Sequence, residues 1–170
     1  TVLETGLDGY GTLRDRPDLA RTSRLSAHLH YGEISPRQVW ASVHAQLGER
    51  PELERDAHKF LSELGWREFC AHLLYHFPEM PDRNWRRGFD AYPWRDNVED
   101  LARWQQGLTG YPLVDAGMRE LEATGSMHNR VRMVAASFLI KHLRLHWSQG
   151  EAWFWDRLVD ADLASNSAGW

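Results

Sequence analysis

His128-Asn-Arg-Val-Arg-Met-Val-Ala-Ala-Ser-Phe-Leu-Ile-Lys-His-Leu-Arg-Leu-His-Trp147 is the stretch that decides the fold. Val131, Val134, Ala135, Phe138 and Leu139 recur at helical spacing, which predicts an α-helix with one buried face. Working outward, the same period returns. Ser35-Pro-Arg-Gln38 supplies an N-cap, a first-turn proline and a glutamine three residues on; that helix is predicted to reach about Leu47 and stop at Gly48. A second covers roughly Leu53–His76, with Phe60, Leu61, Leu64, Leu73 and Leu74 in phase, and ends before Pro78. Pro78–Asp96 has three prolines, the basic cluster Arg83, Arg86 and Arg87, and no period, so it reads as a loop. Asn97 caps a short helix ending at Gly107, and Pro112 opens another ending near Gly125. Glu151–Val159 follows Gly150. Val2–Arg21 is polar and Gly-rich, a loop or short turns. No segment alternates with period two, so the expected fold is all-α with no sheet.

The 170 residues suffice for one domain with a real core. Apolar content of 42% beside 26% charged is globular composition. A net charge of −4 gives no general attraction to nucleic acid, so any such contact needs a local basic face. The single cysteine, Cys70, excludes an internal disulfide and fits a reducing cytoplasm, the expected location. No apolar run approaches the roughly 18 residues of a membrane span. The absence of an initial Met and the abrupt end at Trp170 lead one to expect a piece of a longer chain. Nine tryptophans exceed what packing ordinarily asks for, because each buried indole N–H needs a partner.

Four constellations carry possible chemistry. Arg21-Thr-Ser-Arg-Leu-Ser26 gathers hydroxyls and guanidiniums that suit a phosphate, or an ordinary Ser/Thr cap. In Glu63-Leu-Gly-Trp-Arg-Glu-Phe69, Glu63 and Trp66 share a helix face; the plain alternative is an exposed Glu63–Arg67 pair beside a packed Trp. Asn129, Arg130 and Arg132 open an otherwise apolar helix, satisfied either by a ligand or by solvent. Asp160-Ala-Asp-Leu-Ala-Ser-Asn-Ser-Ala-Gly-Trp170 sets polar groups among small residues, like a wall against a polar ligand. The histidine pairs His72/His76 and His142/His146 have metal-ligand spacing, but nothing completes a site, so no metal is expected. A Ser–His–Asp hydrolase lacks its strand–turn–helix elbow.

Taken together, these blocks resemble the flavin-binding helical domain of the DNA photolyase/cryptochrome family. The resemblance rests on Thr22-Ser-Arg-Leu-Ser26, Ser35-Pro-Arg37, Glu63-Leu-x-Trp-Arg-Glu-Phe69, Thr109-Gly-Tyr-Pro-x-Val-Asp115, Met127-His-Asn-Arg-x-Arg-Met133, Ala136-Ser-Phe-Leu139 and Asp160-x-Asp-Leu-Ala-x-Asn166. It spans roughly Tyr10–Trp170. It implies one partial FAD-binding domain over 1–170, truncated at its C-terminal end. The family's α/β antenna domain, with its antenna chromophore, lies outside the chain.

The resemblance also implies roles. Tyr10, Thr22, Ser23, Arg24, Leu25 and Ser26 would hold the FAD phosphates. Phe60, often Trp in relatives, would line the pocket. Arg67, Asn129, Arg132, Asp160, Ala161, Asp162 and Asn166 would surround the flavin and its sugar, with Asn166 at N5. Reduced FAD, excited by light, would donate an electron to a flipped-out pyrimidine dimer, photolyases being among the known base-flipping enzymes. Glu63, Trp66, Asn129 and Met133 would act on the lesion, and Arg14, Glu63, Trp66, Arg67, Cys70, Asn129 and Arg130 would meet damaged DNA. Trp94, Trp147 and Trp170 would conduct electrons inward from the surface, with Trp94 near solvent.

Glu63, Trp66, Asn129 and Met133 match the cyclobutane dimer photolyases, closest to class I, whereas the (6-4) photolyases place histidines where Asn129 and Met133 stand. Plant cryptochromes tend to carry Asp in place of Asn166. The alternatives are a cryptochrome-type photoreceptor without repair activity and a cofactor-free helical fragment, and the fragment itself is expected to be weak in FAD binding and repair. Ser126 stands where many relatives have Trp, and Arg21 replaces a common Gly.

Overall fold

The computed structural model describes residues 6–170, which gather into two compact units, one built by the chain up to Phe69 and one by Cys70–Trp170. Residues 2–5 of the predicted loop Val2–Arg21 lie outside the described residues. The rest of that loop contains one helical turn, α1 (Tyr10–Leu13), and leads to α2 (Ser26–His30). Among the described residues the architecture is all-α, with a lone parallel bridge between Arg95 and Leu145.

In the first unit α3 (Pro36–Glu49) begins at Ser35, whose hydroxyl accepts from the Gln38 N–H while the Gln38 side chain accepts from the Ser35 N–H. The capping box is thus present as expected. Gly48 does not stop the helix but sits inside its last turn, where a side chain would meet open space. A 3₁₀ turn (Pro51–Leu53) leads into α4 (Glu54–His76). Its Ala57, Phe60, Leu61 and Leu64 are buried with Leu7, Tyr10, Leu29, Val39 and Val43. Asp56 faces α1 and accepts from the Gly9 N–H at 2.9 Å and the Gly11 N–H at 2.8 Å. One carboxylate thereby satisfies two backbone donors of a turn whose Gly9 has φ 71°.

In the second unit Pro78–Asp96 is irregular as expected, apart from a 3₁₀ segment at Arg87–Ala91. Asn97 Oδ1 accepts from the Asp100 N–H and caps α5 (Val98–Gln105). α6 (Pro112–Thr124) ends on Gly125 at φ 67°. The Thr109–Gly110 turn ahead of it is held by buried Asp115, whose carboxylate accepts from both backbone N–H groups and the Thr109 hydroxyl.

The predicted single helix His128–Trp147 is corrected. It runs as α7 (Asn129–Ser137), widens into a π-helical segment (Phe138–Leu143) and ends at Arg144 in the left-handed region, φ 57°. The Arg144 carbonyl accepts from the Arg95 N–H at 2.8 Å, tying this break to the preceding loop. Val131, Ala135, Phe138 and Leu139 are buried as expected, but Val134 points outward. A new helix, α8 (Trp147–Arg157), starts with His146 Nδ1 accepting from the Ser148 N–H. Gly150 is therefore inside a helix and does not precede one. It is glycine because a Cβ there would lie 2.3 Å from Trp170 Cη2 and 2.5 Å from Leu139 Cδ2. The terminal run folds as α9 (Leu163–Gly169), capped by Asp162 Oδ1 accepting from the Ser165 N–H at 2.9 Å. The unit's core is Trp104, Met118, Leu121, Leu139, Leu145 and Phe154 with their neighbours, and Trp104 donates its indole N–H to the Ala135 carbonyl at 3.0 Å.

Candidate functional site

The Leu158–Asp162 connection and α9 fold back beside α7 and α8 and enclose a cavity of about 190 Å³. Asn129, Arg132, Met133, Asp160, Ala161, Asp162, Asn166 and Trp170, all singled out from the sequence, line it. Ala136, Phe154, Leu158 and Gly169 complete it with apolar surface. Arg132 is pinned at both ends of its guanidinium. Nε donates to the Met127 carbonyl at 2.7 Å, and Nη2 reaches both Asp160 oxygens at 3.0 and 3.1 Å. The Asp160 side chain is only 9% exposed, so this pair neutralises a charge that would otherwise be stranded.

Asn166 is oriented by a residue that sequence reasoning missed. Its Nδ2 donates to the Glu151 carbonyl and to Glu151 Oε1, both at 3.1 Å. Because a backbone carbonyl can only accept, the amide's orientation follows from its partners, and Oδ1 is left without a protein partner among the described residues. Burial pushes the Glu151 carboxyl above its usual range, and Asp82 adds to the push, against donors from Ser167 and Asn166. No local signal marks Glu151, which lies fifteen residues from Asn166.

The remaining candidates belong to the first unit. Tyr10 packs edge-on to Phe60 with ring centroids 5.2 Å apart, and burial raises its hydroxyl pKa. Arg14 Nη1 meets Glu63 Oε1 at 2.6 Å, and Lys59 adds a contact at 3.3 Å. The expected Glu63–Arg67 pair does not form; Arg67 pairs with Glu68. Trp66 is 59% exposed beside Phe69. Thr22–Ser26 precedes α2 with Arg24 at φ 53°. The ordinary cap reading fails here, because Leu25 occupies the cap position and no hydroxyl caps the helix.

Elsewhere in the second unit, Cys70 is half-buried, and burial, with Asp162 nearby, raises its thiol pKa. Arg130 and Asn129 are exposed, and both approach the Met133 sulfur. Trp170 packs on Phe154 at 5.0 Å and Trp104 at 6.4 Å. Trp94 contacts His146 at 5.1 Å, and His146 contacts Trp147 at 5.4 Å. The Trp94 ring is partly exposed, but its indole N–H is buried with no partner among the described residues.

A pocket of this kind, apolar walls with a few fixed polar groups, is what a flat heteroaromatic ring with a polar edge requires. Its volume is below the roughly 300–1,000 Å³ typical of sites for whole drug-sized ligands, so it fits one portion of a large cofactor. The family model for the FAD binding domain of DNA photolyase matches residues 60–170. The chain belongs to the DNA photolyase family. It is 54% identical over 169 residues to a deoxyribodipyrimidine photo-lyase of Agrobacterium fabrum, covering 99% of this chain and 35% of that protein. The crystal structure of a bacterial class III photolyase from Agrobacterium tumefaciens superposes with a TM-score of 0.95 at 53% identity, covering 99% of this chain and 34% of that one. A Synechocystis cryptochrome does so at 0.90 and 35% identity, covering 97% and 34%. The chain thus spans about a third of the length of these photolyase-family relatives. The class I expectation stands beside a class III structure at 53% identity, so the chain is assigned to the family without a class.

Proposed function

We propose that the protein containing this chain repairs cyclobutane pyrimidine dimers in DNA by light-driven electron transfer from reduced FAD. The observation that carries the reading is the cavity itself, in which Asn129, Arg132, Met133, Asp160, Asp162, Asn166 and Trp170 converge within a photolyase-family chain. The donor set fits the cofactor: a neutralised Arg132–Asp160 pair, a fixed amide at Asn166 and an apolar wall. When bound, FAD supplies the photochemical electron, and the protein binds and orients.

In this reading Asn166 Oδ1 accepts a hydrogen bond at the flavin edge. The Thr22–Ser26 hydroxyls, free of capping duty, take phosphate together with Arg24. Glu63 hydrogen-bonds the flipped dimer, while Arg14, paired with it at 2.6 Å, favours its ionised form. Trp66, exposed on α4, stacks on the lesion. Asn129, Met133 and Arg130 face the damaged strand, Cys70 and Arg67 flank it, and Phe60 with Tyr10 backs the pocket. Trp170, Trp147 and Trp94 carry electrons inward.

Illuminating the full-length, FAD-loaded protein with dimer-containing single-stranded DNA tests the reading. Dimer loss is expected, and its absence defeats the assignment. Glu63→Ala should lower repair yield and leave flavin bound; equal loss of both rejects its role. Trp147→Phe should slow photoreduction, and an unchanged rate removes Trp147 from the path. The likeness to a cryptochrome favours a second reading, a photoreceptor without repair; flavin photoreduction with no dimer loss would select it.

A further inference from the structure

Trp147 is buried, and its indole N–H donates to Asn84 Oδ1 at 2.7 Å, a contact between residues 63 positions apart. The Asn84 amide is itself fixed, since its Nδ2 donates to Asp90 Oδ1 at 2.7 Å. Asp90 also faces Arg87, 3.9 Å away. An amide therefore stands between the indole and the nearest carboxylate on this path. That placement has a chemical consequence once an electron is removed. Oxidation makes an indole N–H a strong acid, and a basic neighbour takes its proton. The neutral radical left behind is a weaker oxidant and holds the vacancy in place. An amide oxygen accepts the hydrogen bond but does not take the proton.

Resting on the electron-path reading above, we propose that Asn84 is a positioning residue that keeps Trp147 a relay by holding its N–H on an acceptor unable to deprotonate it. The oxidant is a light-excited flavin at the Trp170 end. One electron leaves Trp147 toward Trp170, and one arrives from Trp94. The Trp147 N–H bond stays intact throughout, and the oxidising equivalent finishes on Trp94.

The surroundings agree. Gly150, one turn along α8 from Trp147, lets the Trp170 ring press directly on that helix. His146, whose ring touches both Trp94 and Trp147, offers no base. Its Nδ1 accepts from the Ser148 N–H, and burial holds the ring neutral, so the proton sits on Nε2. The Trp94 N–H is buried without a partner among the described residues, so it too has no protein acceptor there.

The test moves the carboxylate one step along the hydrogen-bond chain. In full-length, flavin-loaded protein carrying Trp94→Phe, the oxidising equivalent stops at Trp147, and transient absorption distinguishes a cationic from a neutral indole radical. With Asn84 present the radical should be cationic and should decay by electron return. The swap Asn84→Asp with Asp90→Asn retains a hydrogen-bonded pair but places the carboxylate on the indole. It should give a neutral radical that outlives the other severalfold. A radical already neutral with Asn84 present, or one unchanged by the swap, overturns the proposal while leaving the electron path standing. No tryptophan radical in the protein with all three tryptophans refutes the path, and the proposal with it. In flavin-free full-length protein, ultraviolet resonance Raman should show the Trp147 N–H losing its hydrogen bond in Asn84→Ala and keeping it in the swap; an unmoved band in Asn84→Ala also overturns it.

Discussion

Gly150→Ala perturbs a position where a helix of the second unit touches the cavity's terminal indole. In an open helix the substitution stabilises, because alanine exceeds glycine by about 1 kcal/mol. Here the new Cβ lies 2.3 Å from Trp170 Cη2, 2.6 Å from Trp170 Cζ3 and 2.5 Å from Leu139 Cδ2. Reaching ordinary contact at 3.4 Å requires the Trp170 ring to retreat by about 1.1 Å. Leu139 is fully buried and has little room to give. Overpacking of this kind costs about 1–3 kcal/mol. Set against the propensity gain, the net effect is a destabilisation between about zero and 2 kcal/mol. Gly48→Ala is the control, since its Cβ meets nothing within 4 Å and the full gain should appear. Guanidinium unfolding of full-length protein, followed by tryptophan fluorescence, gives both values. If Gly150→Ala stabilises as much as Gly48→Ala, the close approach of Trp170 to α8 is wrong. Displacement of the ring should also slow flavin photoreduction in the loaded protein.

Three further outcomes follow from particular contacts. Burial pushes the Asp115 carboxyl upward, but bonds from Thr109 and Gly110, with Arg119 nearby, outweigh it and hold the pKa below its usual value. Asp115→Asn should cost about 3 kcal/mol at neutral pH, given about 1.5–3 kcal/mol for each bond to a charged acceptor. Because the folded pKa is depressed, that difference is complete above the unfolded value of about 3.9 and should shrink as pH falls below it; a constant difference in pH-dependent unfolding rejects the account. For Glu151 the sign reverses. Its folded pKa is raised, chiefly by burial, so ionisation destabilises as pH climbs through the unfolded value of about 4.3. Glu151→Gln should therefore stabilise at neutral pH and be silent in acid, and a gain present equally at both would contradict it. Arg132→Ala strands Asp160, so about 3–5 kcal/mol should be lost, with Arg132→Ala/Asp160→Asn recovering part of it. No recovery in a denaturant titration would show that the pair is not the cause.

Features legible in the sequence are those whose signals are local. The Ser35 capping box, the Asn97 cap, the Pro112 start and the Gly125 end each depend on neighbours within a turn, and the structure shows all four. Features that escape depend on partners far along the chain. Gly150 reads as a breaker until Trp170, twenty residues on, is seen against it. The widening at Phe138–Leu143 is invisible because one short segment with a different period leaves the apolar pattern almost unchanged. Asp162 reads in the sequence as a ligand alone, yet one of its oxygens caps α9. The cavity-lining residues could be nominated through the resemblance, but Glu151, Asn84 and Asp56, which hold neighbours from 15, 63 and 47 or 45 positions away, could not.

The widened segment at Phe138–Leu143 also restricts how the chain can change in length. Such segments accommodate an added residue within a helix. Deleting one residue there would restore regular winding, yet would turn everything beyond it by about 100° around the axis. Arg144 would no longer present its carbonyl to Arg95, and the start of α8 at Trp147 would rotate away from Asn84. A point substitution in this region can be absorbed by side chains, but a single-codon deletion dislocates two distant segments together. Deletion scanning should therefore find this stretch far less tolerant than its exposed residues, Lys141 and His142, would suggest.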